Sequence, residues 1–119
     1  MRRLLVKVTC GTEDPERCNQ AFTVAATAAA SGADVGLWLT GEAAWFAVPG
    51  KAEEFTLPLA MPLADLLAAV LESGRVTLCT QCADRRGITA DDTLPGVRIA
   101  GAAVFAEEVL ADGVQALVY

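Results

Sequence analysis

Short apolar runs alternate with longer amphipathic segments along the whole chain. The first run, LLVKV, is almost continuously apolar, which is typical of a strand buried on both faces of a parallel sheet. Four further runs are bounded by turn residues in the way that strands are. The predicted strands are residues 3–9, 33–40, 75–79, 97–100 and 115–119.

Helix signals occupy the segments between these strands. Asp14 stands at an N-cap position and Pro15 at the first helical position, so a helix is predicted to run to about residue 31. Gly32 suits the left-handed residue that ends such a helix. The predicted inner face of this helix consists of Ala21, Phe22, Ala25, Ala28 and Ala29. Further helices are predicted at residues 41–46, 63–72, 81–86 and 102–111.

The middle of the chain is harder to assign, because proline interrupts it. VPGK at residues 48–51 predicts a turn, and Pro58 and Pro62 leave residues 55–62 without an assignment. Elsewhere strands and helices alternate, which predicts an α/β fold with right-handed crossovers. We therefore expect a single domain at residues 1–119, built on a three-layer, doubly wound, mostly parallel five-stranded sheet.

Composition and charge narrow the class of protein. Hydrophobic residues make up 54% of the chain, so a good core is possible without disulfides and some apolar surface is expected to lie between subunits. The formal net charge of −6 argues against nucleic acid and anionic membranes as partners. The longest charge-free stretch, residues 18–33, is too short to span a bilayer, and Lys7 interrupts the only candidate leader segment. A cytoplasmic location is therefore expected.

Four cysteines carry the candidate chemistry: Cys10, Cys18, Cys79 and Cys82. In a reducing compartment they are expected to be thiols, catalytic groups or metal ligands rather than disulfides. Cys10 and Cys79 end predicted strands, and Cys18 and Cys82 lie in the helices that follow, so all four are predicted to lie near the carboxyl edge of the sheet. The chain contains no histidine, which excludes a Cys–His dyad, a Ser–His–Asp triad and a histidine-ligated metal.

Cys79 has the most favourable position for a reactive thiol. It lies where a predicted strand ends and a short helix begins, and the dipole and free N–H groups of a helix start favour an anion. Arg85 and Arg86 are predicted to add positive charge. A thiol in this setting is partly thiolate near neutral pH, which is its nucleophilic form. The alternative is a buried cysteine that serves only as a small apolar side chain.

The stretch CTQCADRRGI at residues 79–88, late in a small βαβ chain, resembles the DsrE-like sulfur-relay family (DsrE, DsrF and TusD type). GVRIAG at residues 96–101, the helix after it and the final strand support the resemblance, which covers nearly the whole chain. It implies a DsrEFH-like fold with flavodoxin-like topology.

The function implied by the resemblance is that of a persulfide carrier, a possible sulfurtransferase, with Cys79 as the reactive residue. The partners implied are protein sulfur donors and acceptor thiols, within a homo- or hetero-oligomer. The aromatic and apolar residues of the middle region are candidates for subunit contacts or for the core. They are Trp45, Phe46, Phe55 and Met61.

Cys82 departs from the simplest pattern of this family, which needs one cysteine in the stretch. A second thiol could attack a persulfide on Cys79, expel hydrosulfide and leave a disulfide. The pair could also work as a plain thiol–disulfide switch, or the protein could be a non-catalytic interaction scaffold. Both Cys79 and Cys82 are therefore candidate site residues.

Two ligand sites are further alternatives. All four thiolates together could hold tetrahedral zinc, although the seven residues between Cys10 and Cys18 are not a typical knuckle. The loop TCGT at residues 9–12 stands where a flavin or nucleotide phosphate would bind, but it contains one glycine and is followed by Glu13 and Asp14. These acids are expected to cap the first helix instead. No cofactor is therefore expected.

Overall fold

The computed structural model describes residues 2–119, which contain a single sheet of five strands. The strands are β1 (Arg3–Val8), β2 (Asp34–Leu39), β3 (Arg75–Cys79), β4 (Val97–Ala100) and β5 (Val114–Val118). All neighbouring strands pair in parallel, in the order β4-β3-β2-β1-β5. Each predicted strand is confirmed to within one residue at either end.

Five α-helices and two short 3-10 helices connect the strands. They are α1 (Pro15–Ala30), α2 (Lys51–Glu54), α3 (Leu63–Ser73), α4 (Thr80–Arg85) and α5 (Ala102–Val109), with 3-10 helices at Gly41–Ala47 and Ala90–Asp92. The one-turn helix α2 was not predicted, because the turn signal at residues 48–51 overlaps its first residue, although good helix formers follow. Among the helices of residues 2–119, none combines the length and the apolar character needed to cross a membrane.

The predicted α/β architecture, with helices on both sides of the sheet, is confirmed. The strand order, however, differs from the 2-1-3-4-5 order of a flavodoxin sheet. Strands β1, β2, β3 and β4 lie side by side in chain order. Because each right-handed crossover between them moves the chain in the same direction across the sheet, the connecting helices lie on one face. There α1 and α3 pack against each other. The chain then returns past three strands to β5, which leaves α5 on the opposite face.

The two faces of the sheet differ in chemistry. Under α1 and α3 lies the main apolar core, whose largest strand side chains are Val6, Val8, Val35, Leu37, Leu39, Val76 and Leu78. Under α5 lies a row of neighbouring residues in register, Lys7, Trp38, Thr77 and Arg98. Glu108 of α5 accepts hydrogen bonds from Trp38 Nε1 at 3.0 Å and from Arg98 at 2.7 Å. The face that α5 covers therefore carries charged side chains beside apolar ones.

The inner face of α1 is largely as predicted. Ala21, Phe22, Ala25 and Ala29 are buried, whereas Ala28 is partly buried. In the middle region Phe46 and Phe55 belong to the core, and their rings pack edge to face at 5.8 Å between centroids. Trp45 packs against the core, whereas Met61 is exposed.

Candidate functional site

Cys79 and Cys82 lie together at the carboxyl edge of the sheet. Cys79 is the last residue of β3 and the N-cap of α4, and Cys82 lies in the first turn of that helix. The side chain of Cys79 is partly exposed, whereas Cys82 is buried, with 8% of its surface accessible. Both thiols are free. One sulfur can therefore be reached from outside, and the second lies behind it.

The local backbone favours an anionic sulfur at Cys79. Burial raises the pKa of this thiol, but hydrogen bonds from the backbone N–H and the thiol of Cys82 and from the backbone N–H of Gln81 lower it, as does the charge of Lys7. The net effect is a pKa below the ordinary value of 9.0. A larger fraction of Cys79 is therefore thiolate at neutral pH than of an ordinary cysteine.

The source of positive charge is not the one predicted. Arg86 forms an ion pair with Glu42, with 2.8 Å between Nε and Oε2, and Arg85 is exposed at the far end of α4. The prediction that these arginines support Cys79 is wrong, because Arg85 lies in the last turn of α4 and Arg86 is its C-cap residue, at the opposite end of the helix from Cys79. Lys7 of β1 supplies the charge instead. The signal that could have revealed it is a single lysine within an apolar strand.

Gly41 holds the second sulfur. Its backbone N–H donates to Cys82 Sγ at 3.3 Å, and the Arg86 guanidinium donates to the carbonyl of Cys82 at 3.0 Å. Gly41 has a φ of +55°, and a Cβ at this position would lie 2.3 Å from the carbonyl oxygen of Thr9. Only glycine fits here without a shift of the backbone. The loop after β2 is thus part of the site, which the sequence did not indicate.

A cleft of about 280 Å³ opens in front of the two thiols, and we call it the Cys79 cleft. Its floor is formed by strand residues that include Lys7 and Trp38, and Phe105 of α5 forms one wall. Lys7 is the only formally charged residue among those that line it. A separate cavity of about 230 Å³, between Trp45 and Lys51, contains no thiol. The cleft is therefore where a reactant would meet Cys79.

The other two thiols lie within the apolar core under α1. Cys10 and Cys18 are buried there, and burial raises the pKa of both, that of Cys18 to about 12. Side chains of successive strand residues alternate between faces, so Val8 and Cys10 point toward α1 while Thr77 and Cys79 point toward α5. All four thiols therefore follow the carboxyl ends of parallel strands, as predicted, but they lie on two faces of the sheet and do not form one group.

The ligand alternatives find little support in these side chains. Within residues 2–119, no three cysteine or carboxylate side chains come together as metal ligands, so the four-thiolate zinc site is not formed. In the loop after β1, the N–H of Gly11 donates to Glu13 at 2.6 Å, so a carboxylate occupies the place of a phosphate. Asp14 is the N-cap residue of α1, but its side chain pairs with Arg17 and makes no capping hydrogen bond.

The family model described as the DsrE/DsrF-like family matches residues 2–118, which is nearly the whole chain. Among curated proteins, no sequence matches this chain.

Solved structures share the fold at low sequence identity. The ychN protein from E. coli superposes with a TM-score of 0.79 at 21% identity, covering 98% of this chain and 100% of that one. The protein of unknown function MTH1491 from Methanobacterium thermoautotrophicum has a TM-score of 0.70 at 10% identity, with 100% of both chains covered. BT1422 from Bacteroides thetaiotaomicron, a conserved protein of unknown function, has a TM-score of 0.61 at 16% identity and covers 98% of this chain and 94% of its own.

Proposed function

The chain belongs to the DsrE/DsrF-like family, and on that premise we propose that it carries sulfane sulfur as a persulfide on Cys79. One observation carries the proposal: the sulfur of Cys79 is partly exposed, accepts hydrogen bonds that lower its pKa and faces an open cleft. A buried cysteine with no chemistry would need none of these features, as Cys18 illustrates with its raised pKa.

The transfer consists of two displacement steps at sulfur. The Cys79 thiolate attacks the outer sulfur of a donor persulfide, the donor S–S bond breaks, and its electron pair leaves with the donor thiolate. The new Cys79 persulfide is then attacked in the same way by an acceptor thiolate, which regenerates the Cys79 thiolate. No external oxidant or reductant is consumed, because the sulfane sulfur only changes its partner.

Cys82 supports a second candidate function, thiol–disulfide exchange. Its thiol contacts the Cys79 sulfur, and two cysteines three positions apart at a helix start bring their Cα atoms into the range that a disulfide needs. Attack of Cys82 on a Cys79 persulfide would release hydrosulfide and leave the disulfide. The pair would then need a reductant before the next cycle.

Partners and assembly are proposed on chemical grounds. The donor and acceptor are expected to present thiols, so we propose proteins of a reducing, cytoplasmic compartment. Large apolar side chains are exposed around β5 and the end of α5, at Leu110, Leu117 and Val118. Because such residues favour burial between chains, we propose that the protein works as a homo- or hetero-oligomer.

Mass spectrometry tests the proposed function. The reduced protein is incubated with a protein persulfide donor, such as a cysteine desulfurase supplied with cysteine, and the mass gain of one sulfur atom is located by peptide mapping. We expect the added sulfur on Cys79 in the wild type and in Cys10→Ala, which is the control, and none in Cys79→Ser. Sulfur on Cys10 or Cys18 instead would reject the assignment. A disulfide between Cys79 and Cys82 with release of hydrosulfide would favour the second candidate.

A further inference from the structure

The ammonium group of Lys7 lies in the Cys79 cleft without a carboxylate partner. The residue is half-buried on β1, and within residues 2–119 no acidic side chain comes within ion-pair distance of its Nζ. Its nearest defined partner is the ring of Phe105, with 4.8 Å between Nζ and the ring centroid. A cation–π contact is worth only about 0.5–1 kcal/mol at exposed sites, so it does not replace a counter-ion.

The neighbouring carboxylate is already engaged. Glu108 is the acid on the α5 face, and it accepts hydrogen bonds from Arg98 and Trp38. Both of its carboxylate oxygens are engaged, Oε1 by Trp38 and Oε2 by Arg98. Lys7 therefore remains without a carboxylate partner in the described part of this protein, whose formal net charge is −6.

The rest of the cleft is mainly apolar or already hydrogen-bonded. Trp38 and Phe105 pack edge to face at 5.2 Å and form its apolar part. The hydroxyls of Thr9 and Thr40 donate to the carbonyls of Tyr119 and Val8, so they offer no free proton to a ligand. A reactant that fits has a short aliphatic part, one anionic group for Lys7 and a sulfur that reaches Cys79.

From this arrangement we propose that the Cys79 cleft accepts sulfur directly from a low-molecular-weight persulfide that carries a carboxylate, which Lys7 binds. The proposal rests on the persulfide function proposed for Cys79. The cleft, at about 280 Å³, lies just below the usual range of roughly 300–1,000 Å³ for small-molecule sites, which suits a molecule of a few carbon atoms.

The reaction is a simple sulfur transfer. The Cys79 thiolate attacks the outer sulfur of R–S–SH, the S–S bond of the donor breaks, and R–S⁻ leaves with the electron pair. Cys79 then holds S–SH, and the proton of the donor stays on the transferred sulfur. Atoms and charge balance without any further reactant.

Two size-matched donors separate recognition of the carboxylate from activation of the thiolate. The persulfide of 3-mercaptopropionate is anionic at its far end, whereas that of 3-mercaptopropionamide has the same number of heavy atoms and is neutral there. The rate of mass gain of one sulfur on Cys79 is measured for each donor, and the ratio of the two rates is the readout. If Lys7 only activated the Cys79 thiolate, its loss would slow both donors equally and leave the ratio unchanged.

We expect Lys7→Gln to lower the ratio of anionic to neutral rates by about fivefold, the upper range for a partly exposed ion pair. Lys7→Arg should retain most of the ratio, and the control Lys51→Gln, in the separate cavity, should leave it unchanged. In the wild type, added salt should reduce the rate with the anionic donor more than the rate with the neutral one. This salt measurement needs no variant to fold.

An unchanged ratio in Lys7→Gln, or a salt effect equal for both donors, would overturn the inference. So would failure of both small donors to load Cys79 when a protein persulfide loads it, an outcome that leaves the proposed function intact. Failure of all three donors would instead reject the proposed function itself.

Discussion

At the scale of single residues, the decisive feature is the hydrogen bonding of one sulfur atom. Cys79 and Cys18 are both free cysteines of the same chain, yet their pKa values are shifted in opposite directions. Cys18 loses solvent and lies near Cys10 and two carboxylates, all of which disfavour a negative charge. Cys79 is also partly removed from solvent, but its hydrogen-bond donors and the charge of Lys7 lower its pKa by more than burial raises it. Of these two thiols, Cys79 is therefore the one expected to react.

The pH dependence of alkylation tests this difference. In the wild type, the rate of iodoacetamide reaction at Cys79 should rise with pH through a midpoint below 9.0, because the pKa of the thiol is lowered. Cys82→Ala removes one hydrogen-bond donor and should move the midpoint to higher pH. Cys10→Ala serves as the control and should leave it in place. A wild-type midpoint at or above 9.0 would contradict the geometry described for this sulfur.

At the scale of secondary-structure elements, two segments meet at Cys82. The helix α4 carries the thiol, the 3-10 helix at Gly41–Ala47 begins with the N–H that binds it, and the ion pair of Glu42 with Arg86 ties the two together. Gly41 fits there because it has a positive φ and no side chain to meet Thr9. The position of the second thiol thus depends on a residue 41 positions away in sequence.

Substitution of Gly41 tests how much the close approach of its backbone to Thr9 matters for the stability of the fold. Gly41→Ala should destabilise the fold by about 3 kcal/mol or more, because a strained φ and a clash with backbone act together. Gly50→Ala is the matched control, since Gly50 also has a positive φ but nothing lies within 4 Å of its added Cβ. It should cost only about 1–2 kcal/mol. Urea unfolding at neutral pH under reducing conditions gives both values, and equal losses would show that the contact with Thr9 is unimportant.

At the scale of the whole molecule, the sheet separates the four cysteines into two pairs. Cys10 and Cys18 lie in the core on its apolar face, under α1 and α3. The opposite face, under α5, leaves Cys79 and Cys82 beside a cleft that contains Lys7. The first pair contributes to stability and the second is available for chemistry.

The global stability should therefore fall at alkaline pH. The pKa of Cys18 is about 12 in the folded protein, above the ordinary 9.0, so its contribution is complete below pH 9 and is lost as the pH rises toward 12. In that window the unfolded chain releases a proton that the folded chain keeps, which lowers the free energy of unfolding by up to about 1.4 kcal/mol per pH unit. Cys18→Ala lacks this thiol and should show a shallower decline in chemical denaturation above pH 9. Identical slopes for the variant and the wild type would refute the buried, neutral state of Cys18.

Much of the architecture could be predicted because it depends on local patterns. The buried runs around Val6 and Leu37 predicted their strands to within one residue, and Cys79 was expected at a junction of strand and helix, where it lies. The strand order was not predictable from such patterns, since it depends on which strands pair across the sheet. The same is true of the roles expected for Arg85 and Arg86, which assumed that nearness in sequence means nearness to the sulfur.

The sequence by itself determined which segments are strands and helices, and it identified the cysteine pair as the candidate chemistry, because hydrophobic periodicity and motif spacing are properties of neighbouring residues. Only the tertiary structure decided that Lys7 and Gly41 join the site and that Cys10 and Cys18 do not. Those assignments depend on the register between parallel strands and on the face to which each side chain points. Both are set when distant segments pack together, and neither is encoded by the residues next to a given thiol.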